Sequence, residues 1–367
     1  MKPERIIVSG DRQFIARHRA LFELMTSQYS QLDYVYGDEL FEAPFFNKLV
    51  KVFQKSVYIA FPAKFCSLQN SAQGFGARSK RTERKIRNLR NQPDFVLHLF
   101  GMYSPFWDKY DIPYGMYLDY TAALAHRKLH PAEGFADWKD CERVAYERAY
   151  HLFTMSSLVK SSLVNDYGIA PEKITVVGSF ASYHTVCEGE KKFGSQQILF
   201  NGADFERKGG DLVLAAFKYI KKALPGAKLV IIGKKLTVSQ EGVDNPGKIK
   251  SSAEIRQLFL ETDLVIAPGR CDPFPTFVIE AMNYGVPCIV SGNDGMPEIV
   301  DHDVNGLVVD PLTPELIAEK VIDLLGNIPT LTSMSQQARQ KVKLQLNRNS
   351  VAEKIMQVLA NDDNLAN

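Results

Sequence analysis

The chain has 367 residues, 45% of them hydrophobic, and a formal net charge of +2 at pH 7. This length and apolar content predict two domains, each with its own core. The nearly balanced charge does not favour a nucleic-acid-binding protein. No run of 18 apolar residues occurs, so no membrane-spanning helix is expected.

The five cysteines are scattered and lack the spacing of metal ligands, and no signal-peptide pattern opens the chain. These two observations favour a reduced, cytoplasmic setting.

Apolar runs alternate with amphipathic segments along the chain, as in α/β proteins whose parallel strands are covered on both faces. A first strand is predicted over 5–10 and a helix over 14–25. Further strands of a first sheet are predicted over 94–101, 113–119, 151–156 and 173–179. A polar stretch at about 180–196 is interpreted as a linker. A second set of strands is predicted over 197–202, 227–233, 263–269, 287–292 and 306–310.

Two basic segments lie in the first half. Residues 44–59 place three lysines on one helical face and phenylalanine and valine on the other, and residues 78–90 contain seven basic residues and one acid. Such segments can lie on an anionic membrane surface. Alternatively, the first packs on the sheet through its apolar face and the second is a solvated helix or loop. Both interpretations stay open, and no nucleic-acid-recognition motif accompanies the basic segments.

A phosphate-binding turn is predicted in residues 201–217. Arg207 and Lys208 precede Gly209 and Gly210, which let the backbone turn closely into an amphipathic helix. A guanidinium can grip a phosphate with two N–H groups. Taken alone, the same turn would suit a solvated loop.

Residues 270–306 are the most informative stretch. Asp272 is followed by a proline-rich turn and then by an apolar run that carries Glu280. The prolines predict a helix that begins near Pro275 or Thr276, with Glu280 on the same face as Thr276. The N–H groups of its first turn would form an anion site. A plainer alternative is that Asp272 caps this helix.

These two segments, together with GMPEIV (295–300) and NGLVVD (305–310), resemble the donor site of the family 4 retaining glycosyltransferases. The resemblance implies the α/β fold called GT-B, in which two Rossmann-like domains with mainly parallel sheets face each other across a cleft. It implies an acceptor domain over 1–185 and a donor domain over 186–344. The final helices, about 345–367, would pack back on the first domain.

The implied function is retaining transfer of a sugar, expected to be a hexose, from a nucleotide-sugar to a hydroxyl of a glycan or lipid-linked acceptor. A UDP-sugar is preferred as the expected donor, and a GDP-sugar is the second choice. No metal and no cofactor are implied. Two alternatives stay open: a nucleotide-sugar 2-epimerase, which shares this architecture, and a non-catalytic glycosyltransferase-like binding protein.

The resemblance also implies roles for individual residues. Lys208, with Arg207, would hold the donor diphosphate, and Glu280 would bind the ribose hydroxyls. Asp272, where the family usually has glutamate, would face the donor sugar. The other residues implied at the donor site are Gly10, Phe274, Thr276 and Phe277.

Asp119 stands where family members tend to have a histidine near the donor sugar. It could orient a hydroxyl, act as a base, or simply cap the following helix. The candidates for catalysis are therefore Asp272, Lys208 and Asp119. His18 and His98 are not expected to be catalytic, because they lie within a helix and an apolar strand.

Overall fold

The computed structural model describes residues 3–37, 71–108, 111–128, 135–181, 187 and 189–360. The chain divides into two compact units. The N-terminal unit comprises Met1–Val177 and Ala352–Asn367, and the C-terminal unit comprises Gly178–Val351.

The N-terminal unit contains a sheet of six parallel strands in the order β2-β1-β3-β4-β5-β6. The strands are β1 Arg5–Gly10, β2 Gln31–Tyr36, β3 Phe95–Leu99, β4 Tyr114–Leu118, β5 His151–Thr154 and β6 Ile174–Val176. The helices are α1 Arg12–Thr26, α2 Ala72–Arg87, α3 Ala122–Lys128, α4 Phe135–Arg148 and α5 Ser157–Tyr167.

The C-terminal unit contains a second parallel sheet in the order β12-β11-β10-β7-β8-β9. The strands are β7 Gln197–Asn201, β8 Lys228–Ile232, β9 Val243–Gly247, β10 Leu264–Ala267, β11 Cys288–Ser291 and β12 Gly306–Val309. The helices are α6 Gly210–Ala223, α7 Ser252–Glu261, α8 Thr276–Asn283, α9 Met296–Ile299, α10 Pro314–Leu325 and α11 Ile328–Leu344. A last helix, α12 Arg348–Ala360, crosses into the N-terminal unit at Ala352.

The predicted fold class, two Rossmann-like units with parallel sheets, is confirmed. All residues of β3, β4 and β11 are buried, which explains why their sequences are apolar without alternation. Ten of the twelve strands found in the described residues lie in the predicted runs. The two others, β2 and β9, are edge strands with mixed polar composition and were not predicted.

The strand order of the C-terminal sheet creates a crevice. In chain order its strands are arranged 3-2-1-4-5-6, so β7 and β10 are neighbours whose connections leave toward opposite sides of the sheet. Ligands of open α/β sheets bind outside the carboxyl ends of the strands at such a reversal. The loops after β7 and β10 therefore frame the place where a ligand is expected.

Only one of the two basic segments can be compared with the sequence-based expectation. Residues 44–59 lie outside the described residues. Most of residues 78–90 form the second half of α2, but Arg78 and Arg81 are only 2% and 6% exposed, and Arg78 forms an ion pair of 2.5 Å with Asp11. The expectation that the whole segment is solvated is therefore wrong for these two arginines. Within the described ranges, no helix is both long enough and apolar enough to cross a membrane.

Candidate functional site

The loop over residues 202–209 connects β7 to α6 and lies against the end of β10. Gly209 precedes the helix with a φ of 76°, and a Cβ atom there would lie 2.3 Å from the carbonyl oxygen of Pro268. Only glycine permits both the left-handed backbone and this close approach. The loop is therefore held next to the segment that follows β10.

This approach brings Lys208, Arg207 and Asp272 together. The Lys208 ammonium lies 2.6 Å from the Asp272 carboxylate, and the two side chains are only 17% and 15% exposed. The nearest Arg207 nitrogen lies 3.7 Å from the other Asp272 oxygen. Arg207 also pairs with Asp204 at 2.6 Å and donates to the carbonyl of Cys271. Two cations thus share one half-buried carboxylate at the carboxyl ends of β7 and β10.

Further bonds fix the cluster in place. Arg270 makes a two-pronged ion pair with Asp211, at 2.7 and 2.6 Å, and donates to the backbone carbonyl of Glu206 at 2.8 Å. The backbone N–H of Asp272 donates to the Asp294 carboxylate at 2.8 Å. Bidentate arginine–carboxylate pairs restrict geometry as well as adding energy. The positions of the two loops are therefore tied to each other and not only to the sheet.

Helix α8 begins where the sequence predicts. Thr276 is its first residue, Pro275 occupies the cap position, and no side chain caps it. The alternative that Asp272 caps this helix is therefore wrong, because its carboxylate contacts Lys208 instead. Phe274 and Phe277 are buried on either side of the helix start. An uncapped first turn leaves backbone N–H groups for an anion.

A cavity of about 390 Å³ lies beside α8, and we call it the C-terminal cavity. Its walls are the ends of β7 and β8, the segment over 248–252 that follows β9, and the side chains of Phe277 and Glu280. Its volume lies in the range of small-molecule sites.

A much smaller cavity, of about 10 Å³, is lined by Lys208 and Asp272 and shares Asn201 and Phe277 with the C-terminal cavity. The charged cluster and the C-terminal cavity are therefore adjacent parts of one region.

Part of this region was not predicted from the sequence. The segment over 248–252 follows β9, whose sequence VDNPG contains proline and glycine and does not resemble a strand. Proline is tolerated there because β9 lies at the sheet edge. Once β9 is recognised as a strand, residues 248–252 follow its carboxyl end, and ligands of such sheets bind at strand carboxyl ends. These residues are then expected to line the site.

The other two predicted residues lie in the N-terminal unit. Gly10 ends β1, and Asp119 follows β4 directly. Asp119 lines a cavity of about 150 Å³, which we call the N-terminal cavity. The structure thus groups Arg207, Lys208, Asp272, Phe274, Thr276, Phe277 and Glu280 in the C-terminal unit, and Gly10 and Asp119 in the N-terminal unit.

Three residues other than Asp119 accept the hydrogen bonds of the first turn of α3. The backbone N–H of Leu124 donates to Thr121 Oγ1 at 3.2 Å. The N–H of Ala122 donates to the Glu142 carboxylate, and that of Ala123 to the Tyr167 hydroxyl, both at 3.0 Å. Because these groups satisfy the first turn, the capping alternative for Asp119 is not supported.

Glu142 was not singled out from the sequence. It is 3% exposed, and its Oε2 also accepts a hydrogen bond of 2.6 Å from Tyr167. Burial raises the pKa of Glu142 to about 7, because the charged form is poorly solvated there. It lines the N-terminal cavity together with Trp138. In the sequence FADWKDCERVAYER it reads as an ordinary surface charge, so no sequence signal could have identified it.

The two histidines considered earlier are buried. His98 lies 2.7 Å from the hydroxyl of Ser9, and His18 lies 2.9 Å from the carbonyl of Phe14. Burial lowers the pKa of His98 to about 3 and that of His18 to about 4. Both are neutral at physiological pH.

Comparisons with known proteins find similarity in the part of the chain that contains the charged cluster. Residues 188–341 match the model of the family described as glycosyl transferases group 1. The D-inositol 3-phosphate glycosyltransferase of Segniliparus rotundus is 26% identical over 197 residues, which are 47% of this chain and 44% of that protein. The chain spans about half the length of such curated relatives.

Two solved structures are similar over almost the whole chain. Sucrose-phosphate synthase from Thermosynechococcus elongatus has a TM-score of 0.70 at 13% identity, covering 97% of this chain and 98% of that chain. HepE from Anabaena in complex with UDP and glucose has a TM-score of 0.65 at 11% identity, covering 97% of this chain and 99% of that chain. At these identities the likeness shows the fold alone.

The matched residues contain the 202–209 loop, the cluster around Asp272 and helix α8, and the resemblance identified in the sequence is thereby confirmed. Residues 188–341 are therefore similar to the glycosyl transferases group 1 family, and the fold of the chain is GT-B.

Proposed function

We propose that this chain is a retaining glycosyltransferase that moves a sugar from a nucleotide-sugar to a hydroxyl of a glycan or lipid-linked acceptor. The observation that carries the proposal is the adjacency of the Lys208–Asp272 cluster to the C-terminal cavity at the reversal of strand order. A cavity for a nucleoside beside cations for a diphosphate is what a nucleotide-sugar requires.

The C-terminal cavity takes the nucleoside in this proposal. Its volume of about 390 Å³ leaves room for a base and a ribose, and it combines an aromatic side chain, Phe277, with a carboxylate, Glu280. A carboxylate accepts hydrogen bonds from ribose hydroxyls. UDP is our first choice of nucleotide and GDP our second, and HepE, which has the same fold, binds UDP.

Lys208, Arg207 and the start of α8 receive the diphosphate. The uncapped first turn of α8 presents the N–H groups of Thr276 and Phe277, and the helix dipole favours an anion there. Lys208 lines the small cavity together with Pro275 and Phe277 of this helix start, and Arg207 lies 3.7 Å from Asp272, which lines the same cavity. Asp272, on the same wall, is then placed to accept from a hydroxyl of the donor sugar.

These groups supply the chemistry of a retaining transfer. The bond between the anomeric carbon and the phosphate oxygen breaks, and the acceptor oxygen bonds to the same face of that carbon. The leaving phosphate takes the acceptor's proton. Negative charge grows on the diphosphate during this step, so cations and helix N–H groups aimed at it lower the barrier.

The test is a screen with UDP-, GDP- and ADP-sugars. Thermal shift identifies the nucleotide, since a ligand at 100 times its dissociation constant stabilises a protein by about 2.7 kcal/mol. Release of nucleoside diphosphate is then measured with and without glycan acceptors. We expect release that acceptors accelerate, with an α- or β-configured product that keeps the donor's configuration.

Two other outcomes would contradict the proposal. An epimerised nucleotide-sugar formed without any acceptor would assign the chain as a 2-epimerase. Tight nucleotide-sugar binding without release would assign it as a binding protein.

Lys218 on α6, which is exposed, provides the matched control for substitutions of Lys208.

A further inference from the structure

Asp294 lies in the loop that follows β11, and its backbone has a φ of 53°. Residues other than glycine seldom adopt this left-handed conformation, because it places the Cβ atom too close to the backbone. Glycine adopts it without steric cost. A strained residue persists where the surrounding structure enforces it, and such residues cluster at functional sites. The side chain of Asp294 is therefore expected to make a contact that glycine could not make.

The Asp294 carboxylate makes such a contact with the loop that follows β10. Its Oδ2 atom accepts a hydrogen bond of 2.8 Å from the backbone N–H of Asp272. The carbonyl of Cys271, at the other end of the same peptide unit, accepts from the Arg207 guanidinium. A peptide unit is planar, so the two bonds hold one rigid group at both ends. We call the held peptide and its two charged partners, Arg207 and Asp294, the peptide clamp.

Both partners in the peptide clamp carry a full charge. The carboxylate faces the N–H of the peptide and the guanidinium faces its carbonyl, so each charge complements the end of the peptide dipole that it meets. Hydrogen bonds with an ionised partner are roughly twice as strong as bonds between neutral groups. Cys271 is only 3% exposed, so little water competes for its carbonyl. The clamp therefore resists rotation of this peptide more firmly than two neutral bonds would.

The loop that carries Asp294 is itself fixed to the loop after β10. The N–H of Gly295 donates to the carbonyl of Pro273 at 3.0 Å. The hydroxyl of Ser291 donates to the carbonyl of Gly269 at 2.7 Å. These two bonds lie on either side of the peptide clamp, so the Asp294 carboxylate is presented to the clamped peptide from a fixed loop.

The peptide clamp bears on the candidate site through the Asp272 side chain. The Asp272 carboxylate lies 2.6 Å from the Lys208 ammonium. This side chain leaves the backbone directly after the clamped peptide, so rotation of that peptide would redirect the carboxylate. Where a group must meet a reacting substrate, a displacement of about 1 Å can cost about a hundredfold in rate.

We propose that Asp294 is a positioning residue that holds the Asp272 carboxylate in the orientation required at the donor sugar. This inference rests on the function proposed above, in which Asp272 accepts from a hydroxyl of that sugar. Asp294 acts on the backbone of its neighbour and not on the substrate. Asp294→Gly would relieve the backbone strain but remove the acceptor, so the strain at this position has a function.

Two substitutions separate the hydrogen bond from the backbone conformation. Asp294→Gly keeps the left-handed backbone and removes the acceptor. Asp294→Asn keeps both, since asparagine tolerates this conformation and its amide oxygen can accept. Asp303→Gly is the matched control, because Asp303 is exposed and has a φ of 61° in the same unit. We expect all three variants to unfold thermally within about 4 °C of the wild type.

Amide hydrogen exchange tests the peptide clamp without requiring any activity. Pro273 and Pro275 carry no N–H, so a proteolytic fragment over 270–275 contains few amides and reports Asp272 well. We expect the Asp272 amide to exchange about tenfold faster in Asp294→Gly than in the wild type. Asp294→Asn and Asp303→Gly should exchange at nearly the wild-type rate. Equal exchange in Asp294→Gly and the wild type overturns the proposal.

Turnover of the donor tests the positioning role. Asp294→Gly should lower the turnover number about 10- to 100-fold without weakening the affinity for the free nucleoside diphosphate. Asp294→Asn should restore most of the turnover. In an Asp272→Asn background, Asp294→Gly should have no further effect, because effects of residues that act through one another are not additive. Losses that multiply in the double variant would mean that Asp294 acts elsewhere, and they would contradict the proposal.

The two proposals fail separately. Normal turnover of Asp294→Gly in a protein whose wild type is active would remove the positioning role and leave the glycosyltransferase assignment intact. A wild type that turns over no nucleotide-sugar would remove the enzyme assignment and, with it, the positioning of a donor-sugar contact. The exchange rates would then still decide whether the peptide clamp exists.

Discussion

Replacing Glu142 with glutamine is expected to stabilise the N-terminal unit at neutral and alkaline pH but not at acid pH. Glu142 is buried, and its pKa rises from 4.5 to about 7. Between pH 4.5 and about pH 7, Glu142 is ionised in the unfolded chain but stays protonated in the folded protein. The free energy of unfolding of the wild type therefore falls as the pH rises through this range.

The magnitude follows from the two pKa values. The two pKa values differ by about 2.5, and each pKa unit corresponds to about 1.36 kcal/mol. The free energy of unfolding of the wild type therefore falls by about 3 kcal/mol once the pH exceeds 7. Glutamine has no proton to lose, and its carbonyl oxygen can still accept from Ala122 and Tyr167. The stability of Glu142→Gln relative to the wild type should therefore grow by up to about 3 kcal/mol between pH 4.5 and pH 8.

The assay is urea denaturation at pH 5, 6, 7 and 8, followed by tryptophan emission. Trp107 and Trp138 both belong to the N-terminal unit, so the signal reports that unit. The lowered pKa values of His18 and His98 make the wild type less stable toward acid, but they are the same in both proteins and cancel in the difference.

Glu147→Gln is the matched control, since Glu147 lies on the same helix and is exposed. A stability difference between wild type and Glu142→Gln that stays constant from pH 5 to pH 8 would refute the reasoning. So would an equal pH dependence in the control.

Three further predictions concern the C-terminal unit. Lys208→Ala should reduce donor turnover about 10²- to 10³-fold in a folded protein, whereas Lys218→Ala should not; near-normal turnover of Lys208→Ala would remove its phosphate role. Glu280→Gln should raise the Michaelis constant more than it lowers the turnover number, because a ribose contact is equal in the ground and transition states; collapsed turnover at unchanged nucleotide affinity would make Glu280 catalytic. Asp272→Asn should impair transfer strongly while sparing affinity for the free nucleoside diphosphate, and Asp272→Glu should keep measurable activity; a fully active Asp272→Asn would exclude the residue from the site.

The sequence predicts the strands of this fold wherever a strand is buried on both faces, as in β3 and β4. It fails at two of the four edge strands, since β2 alternates polar and apolar residues and β9 contains proline. Edge strands bury less surface, so their composition is less constrained.

The same reasoning explains what could be predicted of the candidate site. The start of α8 is encoded by local proline chemistry, and the turn at Gly209 by glycine. Glu142 could not be predicted, because its importance comes from burial against Ala122 and Tyr167, which are distant in sequence. Binding residues on turns carry a local signature, whereas residues selected by tertiary packing do not.

The ion pair between Lys208 and Asp272 has a consequence for selectivity. Asp272 already occupies the lysine, so an anion that binds Lys208 must displace this carboxylate. Under the proposed function, inorganic phosphate would gain only the charge contact and would compete poorly, whereas a nucleotide would recover the loss through the neighbouring cavity of about 390 Å³. The pair would then favour the molecule that fills both parts of the site over small anions.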